Sequence, residues 1–263
     1  MGLRSVRATR YVAPLREGGS LPAIVEADDD GMYVVKFHGA GQGPKALVAE
    51  TIAGELGRAL GLNVPDLVQV DFAAALSAAE PDPEIQELLE RSAGLNFGID
   101  YLPGALAFAP SAAIASDFAA DIVWFDAFVT NVDRTPRNPN LLVWGNRLWL
   151  IDHGAALFAQ HGWTGLASAL ASAGSPFAPI RDHVLLAAAG SIAEADARLA
   201  PRVTEEVVEA AVAAVPDVWL EGVAPFATPE EHGAAYRAWL RQRLAERATF
   251  VEEAERARLA NRG

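Results

Sequence analysis

The chain reads as an α+β protein, with a small strand-rich N-terminal lobe and a larger, mainly helical C-terminal lobe. Three observations carry this reading. Short alternating strands with Gly, Asp and Pro turns crowd residues 8–37. From about residue 114 the apolar residues switch to a helical period. Between these regions Pro103-Gly104 breaks an extended segment, which places the lobe boundary there and divides the chain into 1–103 and 104–263. Lobes of roughly 100–160 residues are long enough to bury a core.

Thr9 to Leu15 and Pro22 to Glu26 read as strands flanking Arg16-Glu17-Gly18-Gly19-Ser20, and Met32 to Phe37 follows the turn Asp28-Asp29-Asp30-Gly31. A helix is predicted from about Lys45 to Leu60. Val48, Ile52, Glu55 and Ala59 share one of its faces, and Gly61 is a stop signal just past its end. Pro65 to Phe72 is a further strand. Residues 73–93 form an alanine- and acid-rich insertion, helical near Glu84 to Arg91, and Leu95 to Gly104 is extended. The helical region begins at about 114–130, with Phe118, Ile122, Phe125 and Val129 on one side, and continues at 179–197, 204–215 and 229–258. A hairpin of Leu141–Val143 with Leu148–Ile151 turns at Gly145-Asn146, a good short-turn pair.

Composition narrows the function. The net charge of −13 repels a phosphate backbone, which argues against a nucleic-acid partner. The absence of cysteine excludes disulfides, thiolate nucleophiles and Cys-ligated zinc. The apolar stretch Ala105 to Val129 is interrupted by Pro110, Asp117, Asp121 and Asp126, so no membrane span is expected. Gly2 is followed by Val6 where the myristoylation pattern needs Ser or Thr, and a soluble, cytoplasmic protein is the expectation.

The most informative stretch is 131–154. Asp133 opens a proline-containing loop, Asn138 follows five positions later, and Asp152 ends the apolar run Leu148-Trp149-Leu150-Ile151 before His153-Gly154. An acid, an amide and a second acid in this order suit phosphoryl transfer: Asp133 orients a substrate hydroxyl, while Asn138 and Asp152 hold magnesium. Asn140 directly precedes the Leu141-Leu142 strand and competes with Asn138, since an amide oxygen suits a hard cation from either place. A carboxylate ending a buried strand is costly unless paired or bound to a cation, which favours a working role for Asp152. His153 reads as a packing residue.

The other half of such a site lies upstream. Of 21 basic residues only Lys36 and Lys45 are lysines, and the remaining 19 are arginines. Lys36 ends the strand Tyr33 to Phe37, where an ammonium could contact α- and β-phosphates if a helix glutamate held it. Glu50 is the first choice of partner and Glu55 the second; Lys45 reads as a surface charge. Gly18-Gly19-Ser20 could cradle phosphates through main-chain N–H groups, although the same residues make an ordinary tight turn. A P-loop, a Gly-x-Ser-x-Gly elbow and a His-Glu-x-x-His helix are all absent, and His38, His153, His161, His183 and His232 show no metal-ligand spacing.

Taken together, these residues resemble the HipA-like kinases, bacterial relatives of the protein-kinase and phosphatidylinositol-kinase-like superfold. The resemblance runs from Glu17-Gly18-Gly19-Ser20 through Val34-Val35-Lys36-Phe37, the Glu50 helix and Gly61-Leu62-Asn63-Val64-Pro65 to 131–154. Its most specific part is Asn131-Val132-Asp133-Arg134 with Ile151-Asp152-His153-Gly154, in an Asp-Arg order similar to the lipid-kinase and HipA branch. Asp100-Tyr101-Leu102-Pro103-Gly104 is similar to a kinase hinge, whose main chain would bond adenine around Asp100 and Leu102.

The resemblance implies a two-lobed kinase-like fold, ATP and magnesium, and transfer of the γ-phosphoryl group to a hydroxyl, in HipA itself a protein serine or threonine. It further implies Lys36 as the nucleotide lysine, Asp133 as the catalytic acid-base, and Asn138 with Asp152 as metal ligands. The chain is shorter than full HipA, which leaves the acceptor and any partner protein open. A small-molecule or lipid-headgroup kinase on the same fold, and a nucleotide-binding regulatory pseudokinase, are the alternatives. The pseudokinase should have lost Lys36, Asp133 or Asp152, and all three are present.

Overall fold

The computed structural model describes residues 2–15, 21–41, 43–109 and 114–261. The N-terminal part contains β1 (Arg4–Pro14), β2 (Ala23–Ala27), β3 (Met32–Lys36), α1 (Gly43–Ala59), β4 (Leu67–Phe72), α2 (Pro83–Arg91) and β5 (Gly94–Asp100). Its five strands close into a barrel in the order β1-β2-β3-β5-β4. β1 pairs antiparallel with β2 and then parallel with β4, placing Tyr11 opposite Val25 and Val6 opposite Val70. Register shifts bend β1 between these two neighbours, as bulges do. Val25, Val35, Val68, Val70 and Phe72 fill the interior. A Cβ on Gly98 of β5 would lie 2.6 Å from Val70 Cγ2 and 2.9 Å from Val68 Cγ2, so the barrel closes there only around a glycine.

The C-terminal part follows a short β6 (Leu106–Ala107) and contains α3 (Ser116–Phe128), the hairpin β7 (Leu141–Trp144) and β8 (Arg147–Leu150), α4 (Leu166–Ala173), α5 (Ile192–Leu199), α6 (Glu205–Ala213), α7 (Pro229–Ala245) and α8 (Ala248–Ala260). Gly145 and Asn146 both take positive φ, the twist a two-residue hairpin needs. α1 and α3 are buried on nearly every face, and one apolar core runs from α1 through α8. Gly57 lets them approach: a Cβ there would meet Val64 at 3.1 Å and Phe125 at 3.4 Å. No helix among the described residues is long and apolar enough to cross a membrane.

Four expectations need correction. β1 starts at Arg4 rather than Thr9, because Ser5, Arg7 and Thr9 face solvent while Val6 and Ala8 between them turn inward. The helix expected at 179–197 is a single 3-10 turn, Ala178–Asp182, followed by turns and then α5. Gly190 interrupts it, and Ser191 caps a new helix by accepting from Glu194 N at 3.2 Å. The helix expected at 229–258 is two helices, parted after Glu246 without any Pro or Gly to mark the break. α4, rich in Ala and Ser and weakly patterned, was not foreseen.

Candidate active site

Along β3, Tyr33 and Val35 point into the barrel, so the pleat turns Val34 and Lys36 outward toward α1. Lys36 is only 8% exposed. Its ammonium donates to Glu50 Oε1 on α1 and, at 2.5 Å, to Asp152 Oδ1, which lies 116 residues away. Glu50 Oε2 accepts the His153 N–H at 2.9 Å. The structure therefore brings Glu50 to Lys36 and leaves Glu55 on the surface beside Arg58. Burial opposes the Lys36 charge, but Glu50 and Asp152 outweigh it and hold the ammonium above its ordinary range. Burial also works against ionised Asp152, and Lys36 overrides it, keeping that carboxyl low. Glu50 is pushed up by burial against the pull of Lys36, with Asp152 adding to the rise.

α3 ends in a loop held by its own side chains. Asn131 donates from Nδ2 to Asp126 Oδ1 at 3.1 Å and accepts the Asp133 N–H on Oδ1 at 3.1 Å. Asp133 Oδ2 receives both amides, Asn138 Nδ2 at 2.7 Å and Asn140 Nδ2 at 3.3 Å. Each amide nitrogen is thus directed at Asp133, and each amide oxygen is the atom left to meet a cation. The two asparagines differ in setting. Asn138 is exposed, whereas Asn140 is buried with φ at 49° and receives the Ile151 N–H on its carbonyl at 3.1 Å. That bond fastens the Asp133 loop to the residue before Asp152, itself at φ 55°.

A buried network underlies the loop. Arg134 Nε donates to Asp126 Oδ2 at 2.5 Å, while its Nη1 reaches the carbonyls of Asn140 and Ile151. His183 Nε2 lies 2.8 Å from the same Asp126 oxygen. Burial works against ionised Asp126, yet Arg134 and His183 bring its carboxyl down to about 2. Sequence reasoning missed this trio. Asp126 had a usable signal, as a carboxylate set between Ile122-Val123-Trp124-Phe125 and Ala127-Phe128 requires a partner. His183 had none, since its place depends on a turn far along the chain.

His153 packs, as expected: its buried ring meets Phe125 edge-on at 6.1 Å, and burial brings its pKa down to about 3, leaving it neutral. Gly154 is tightly packed, since a Cβ would sit 3.1 Å from Glu50 Oε1 and push against the carboxylate that holds Lys36. Asp100 and Leu102 do not join the Lys36 cluster through their side chains, which line a separate cavity. The Asp100 N–H is engaged by Asp66 O at 2.8 Å and the Leu102 carbonyl by Ala105 N. Gly18, Gly19 and Ser20 lie outside the described residues.

Among the described residues no group of three or more His, Cys, Asp and Glu side chains is arranged to hold a metal. One carboxylate and one amide oxygen form a sparse donor set, and such a set fits magnesium, which keeps waters and takes further oxygens from phosphates. One ammonium facing two carboxylates also leaves the cluster short of positive charge, as a cation site requires.

Residues 9–229 match the profile of a family described as HipA-like kinase. Among solved structures the chain resembles the proinflammatory kinase CtkA of Helicobacter pylori, with a TM-score of 0.57, 12% identity and 98% of each chain covered. At that identity the likeness speaks for the fold, a strand-rich N-terminal part with a helical C-terminal part. No curated protein matches the chain.

Proposed function

The chain belongs to the HipA-like kinase family, and we propose that it is an ATP- and magnesium-dependent phosphotransferase acting on a hydroxyl group. In this reading 1–103 and 104–263 are the two lobes of one kinase domain, with the nucleotide between them. The observation that carries it is Lys36, a buried ammonium joining Glu50 and Asp152 across 116 residues of chain. Buried ion pairs are poor sources of stability, because desolvation offsets most of the attraction. A lysine kept at that cost, beside the Asp133–Asn140 loop, is better explained by phosphate chemistry.

Lys36 would bind the phosphates, with Glu50 fixing its position. Asp133 would orient the acceptor hydroxyl and take its proton while the new oxygen–phosphorus bond forms and the bond to the β-phosphate oxygen breaks, its electron pair leaving with ADP. Magnesium, when bound by Asp152 and an asparagine, would offset the phosphate charge. Asn138 and Asn140, both hydrogen-bonded to Asp133, would keep its carboxylate aimed.

A polypeptide serine or threonine is the favoured acceptor. What favours it is the family itself, since the resemblance to HipA implies a protein serine or threonine as acceptor.

The test pairs binding with turnover. Mg-ATP at a hundred times its dissociation constant should stabilise the protein by about 2.7 kcal/mol. Transfer of label from γ-labelled ATP, to itself or to candidate peptides, should be lost in Asp133→Ala while this stabilisation persists. Absence of stabilisation at saturating Mg-ATP would overturn the proposal.

A further inference from the structure

A cavity of ≈350 Å³ opens between the end of α1, the end of β5 and the β7–β8 hairpin. Arg58, Asp66, Asp100, Leu102, Trp144 and Trp149 line it, and none of them touches the Lys36–Glu50–Asp152 cluster. Its walls are fixed to one another. Asn63 Nδ2 donates to Leu148 O at 2.9 Å and Asn63 O accepts from Leu150 N at 2.8 Å, tying the segment after α1 to the hairpin. Trp144 Nε1 donates to Pro103 O at 3.0 Å, tying the hairpin to the segment after β5.

The polar atoms of both indoles are already engaged, since Trp149 Nε1 donates to Trp144 O at 3.1 Å. The two rings line the cavity as an edge-to-face pair with centroids 5.5 Å apart, and their carbon surfaces are what they have left to offer. Trp144 remains 36% exposed, a large apolar surface to leave in water. The charges on the walls do not balance. Arg58 is answered by Asp66 and by Glu55, whereas Asp100 has no ion-pair partner among the described residues. Burial and the nearby Asp66 hold the Asp100 carboxyl above the usual carboxylate range, so an arriving cation would relieve it.

We propose that this cavity is a second binding site, taking the arginine side chain of a partner polypeptide against the Trp144–Trp149 pair and the Asp100 carboxylate. A guanidinium fits all three features. It is planar and stacks on indoles, it is less strongly hydrated than an ammonium, and its fork can meet a carboxylate with two N–H groups. The net charge of −13 would further draw in a basic partner. Asp100 and Leu102 also belong to the segment expected to bond adenine, but through main-chain atoms, whereas this inference rests on the Asp100 side chain and uses none of the residues assigned to phosphate or metal.

The experiment follows the indole N–H resonances of Trp144 and Trp149 in the full chain during titration with the peptide acetyl-Gly-Arg-Gly-amide. Its neutral citrulline counterpart is the control. Saturable shifts of both resonances with the arginine peptide, absent with citrulline, are expected. Trp144→Ala and Asp100→Asn, read on the remaining Trp149 signal and on both signals respectively, should each weaken binding about tenfold. Trp144→Ala should keep the wild-type stabilisation by Mg-ATP, which separates the cavity from the nucleotide site. No saturable shift, an equal response to citrulline, or unchanged binding in both variants would each overturn the proposal. A loss of nucleotide binding in the wild type would count against the phosphotransferase reading and leave this one standing.

Discussion

Glu50 and His153 are joined across 103 residues by a 2.9 Å bond from the His153 main-chain N–H to Glu50 Oε2, while the other Glu50 oxygen holds the Lys36 ammonium. One carboxylate thus sets both the lysine and the main chain next to Asp152. Glu50 can do so because α1 is buried all round and its side chain is 1% exposed. The position of the metal-side acid is thereby linked to the position of the phosphate-side cation.

Lys36→Met and Glu50→Gln should differ for this reason. Removing Lys36 leaves two neighbouring carboxylates without a counter-charge, which should cost about 3 kcal/mol or more. Glu50→Gln keeps an acceptor for His153 N–H and leaves Lys36 paired with Asp152, so about 1 kcal/mol is expected. Urea unfolding measures both. Equal losses would mean that Asp152 does not share the lysine charge. Both variants should lose most phosphate transfer, Lys36→Met with weaker Mg-ATP stabilisation.

The competition between Asn138 and Asn140 can be decided by the magnesium dependence of turnover. Asn140 is buried, sits at φ 49° and is bonded to Ile151, the neighbour of Asp152, whereas Asn138 is exposed. Asn140→Gly keeps that backbone conformation while removing the amide. It should raise the magnesium requirement by about 10–100-fold, the range typical when a metal site loses a supporting group. Asn138→Ala should change it by less than about fivefold on the same scale. The reverse order would assign the metal to Asn138.

Acid should reveal Asp126. Its folded pKa of about 2 lies below the ordinary 3.8, so folding favours the carboxylate. Its contribution is complete above about pH 4, worth about 2 kcal/mol, and is lost as pH falls toward 2. Asp126→Asn should be less stable at neutral pH, where Arg134 is left buried without its counter-charge, and should lose less on acidification. Urea unfolding at pH 7, 4 and 3 gives the two slopes. Parallel slopes would contradict the assignment.

What was legible in the sequence follows from the range of the forces involved. Gly61 ended α1 as a local signal should, with φ at 83°, and Gly145-Asn146 made its hairpin turn. Lys36 could be singled out by the scarcity of lysine, Glu50 as a helix glutamate able to hold it, Asp133 by its spacing to Asn138, and Asp152 as a carboxylate that is costly at the end of a buried strand. The closed barrel could not be read, since the parallel pairing of β1 with β4 is a contact between residues such as Val6 and Val70 that no local pattern encodes. Nor could the Asp126–Arg134–His183 network, which exists only once the turns after Ala178–Asp182 replace the expected helix. The side chains of Asp100 and Leu102 line the tryptophan cavity for the same reason: sequence fixes the order of an extended segment but not which wall it faces.

Arg243 supplies the last prediction, because it seals the helix that leads into the Asp133 loop. It is fully buried on α7, between the rings of Trp239 and Phe250. Its guanidinium donates to Ala127 O at 2.7 Å and Phe128 O at 2.8 Å at the end of α3, and to Ala173 O and Ser175 O at the end of α4. Burial lowers its pKa to about 10, which still leaves it charged at neutral pH. Helix ends present unsatisfied carbonyls, and a planar five-donor fork answers two of them at once where an ammonium cannot. Arg243→Met would orphan these carbonyls in the core and should cost about 3 kcal/mol or more. Arg243→Lys should recover only part of that. The loop begins one residue beyond Phe128, and Val129 O receives the Leu157 N–H at 2.6 Å, so a loosened α3 terminus would be felt on both sides of the site. Arg243→Lys should therefore lower kcat more than it raises the KM for Mg-ATP, at a temperature where urea unfolding shows the variant still folded. A loss confined to stability, with kcat unchanged, would make Arg243 a core residue without influence on the loop.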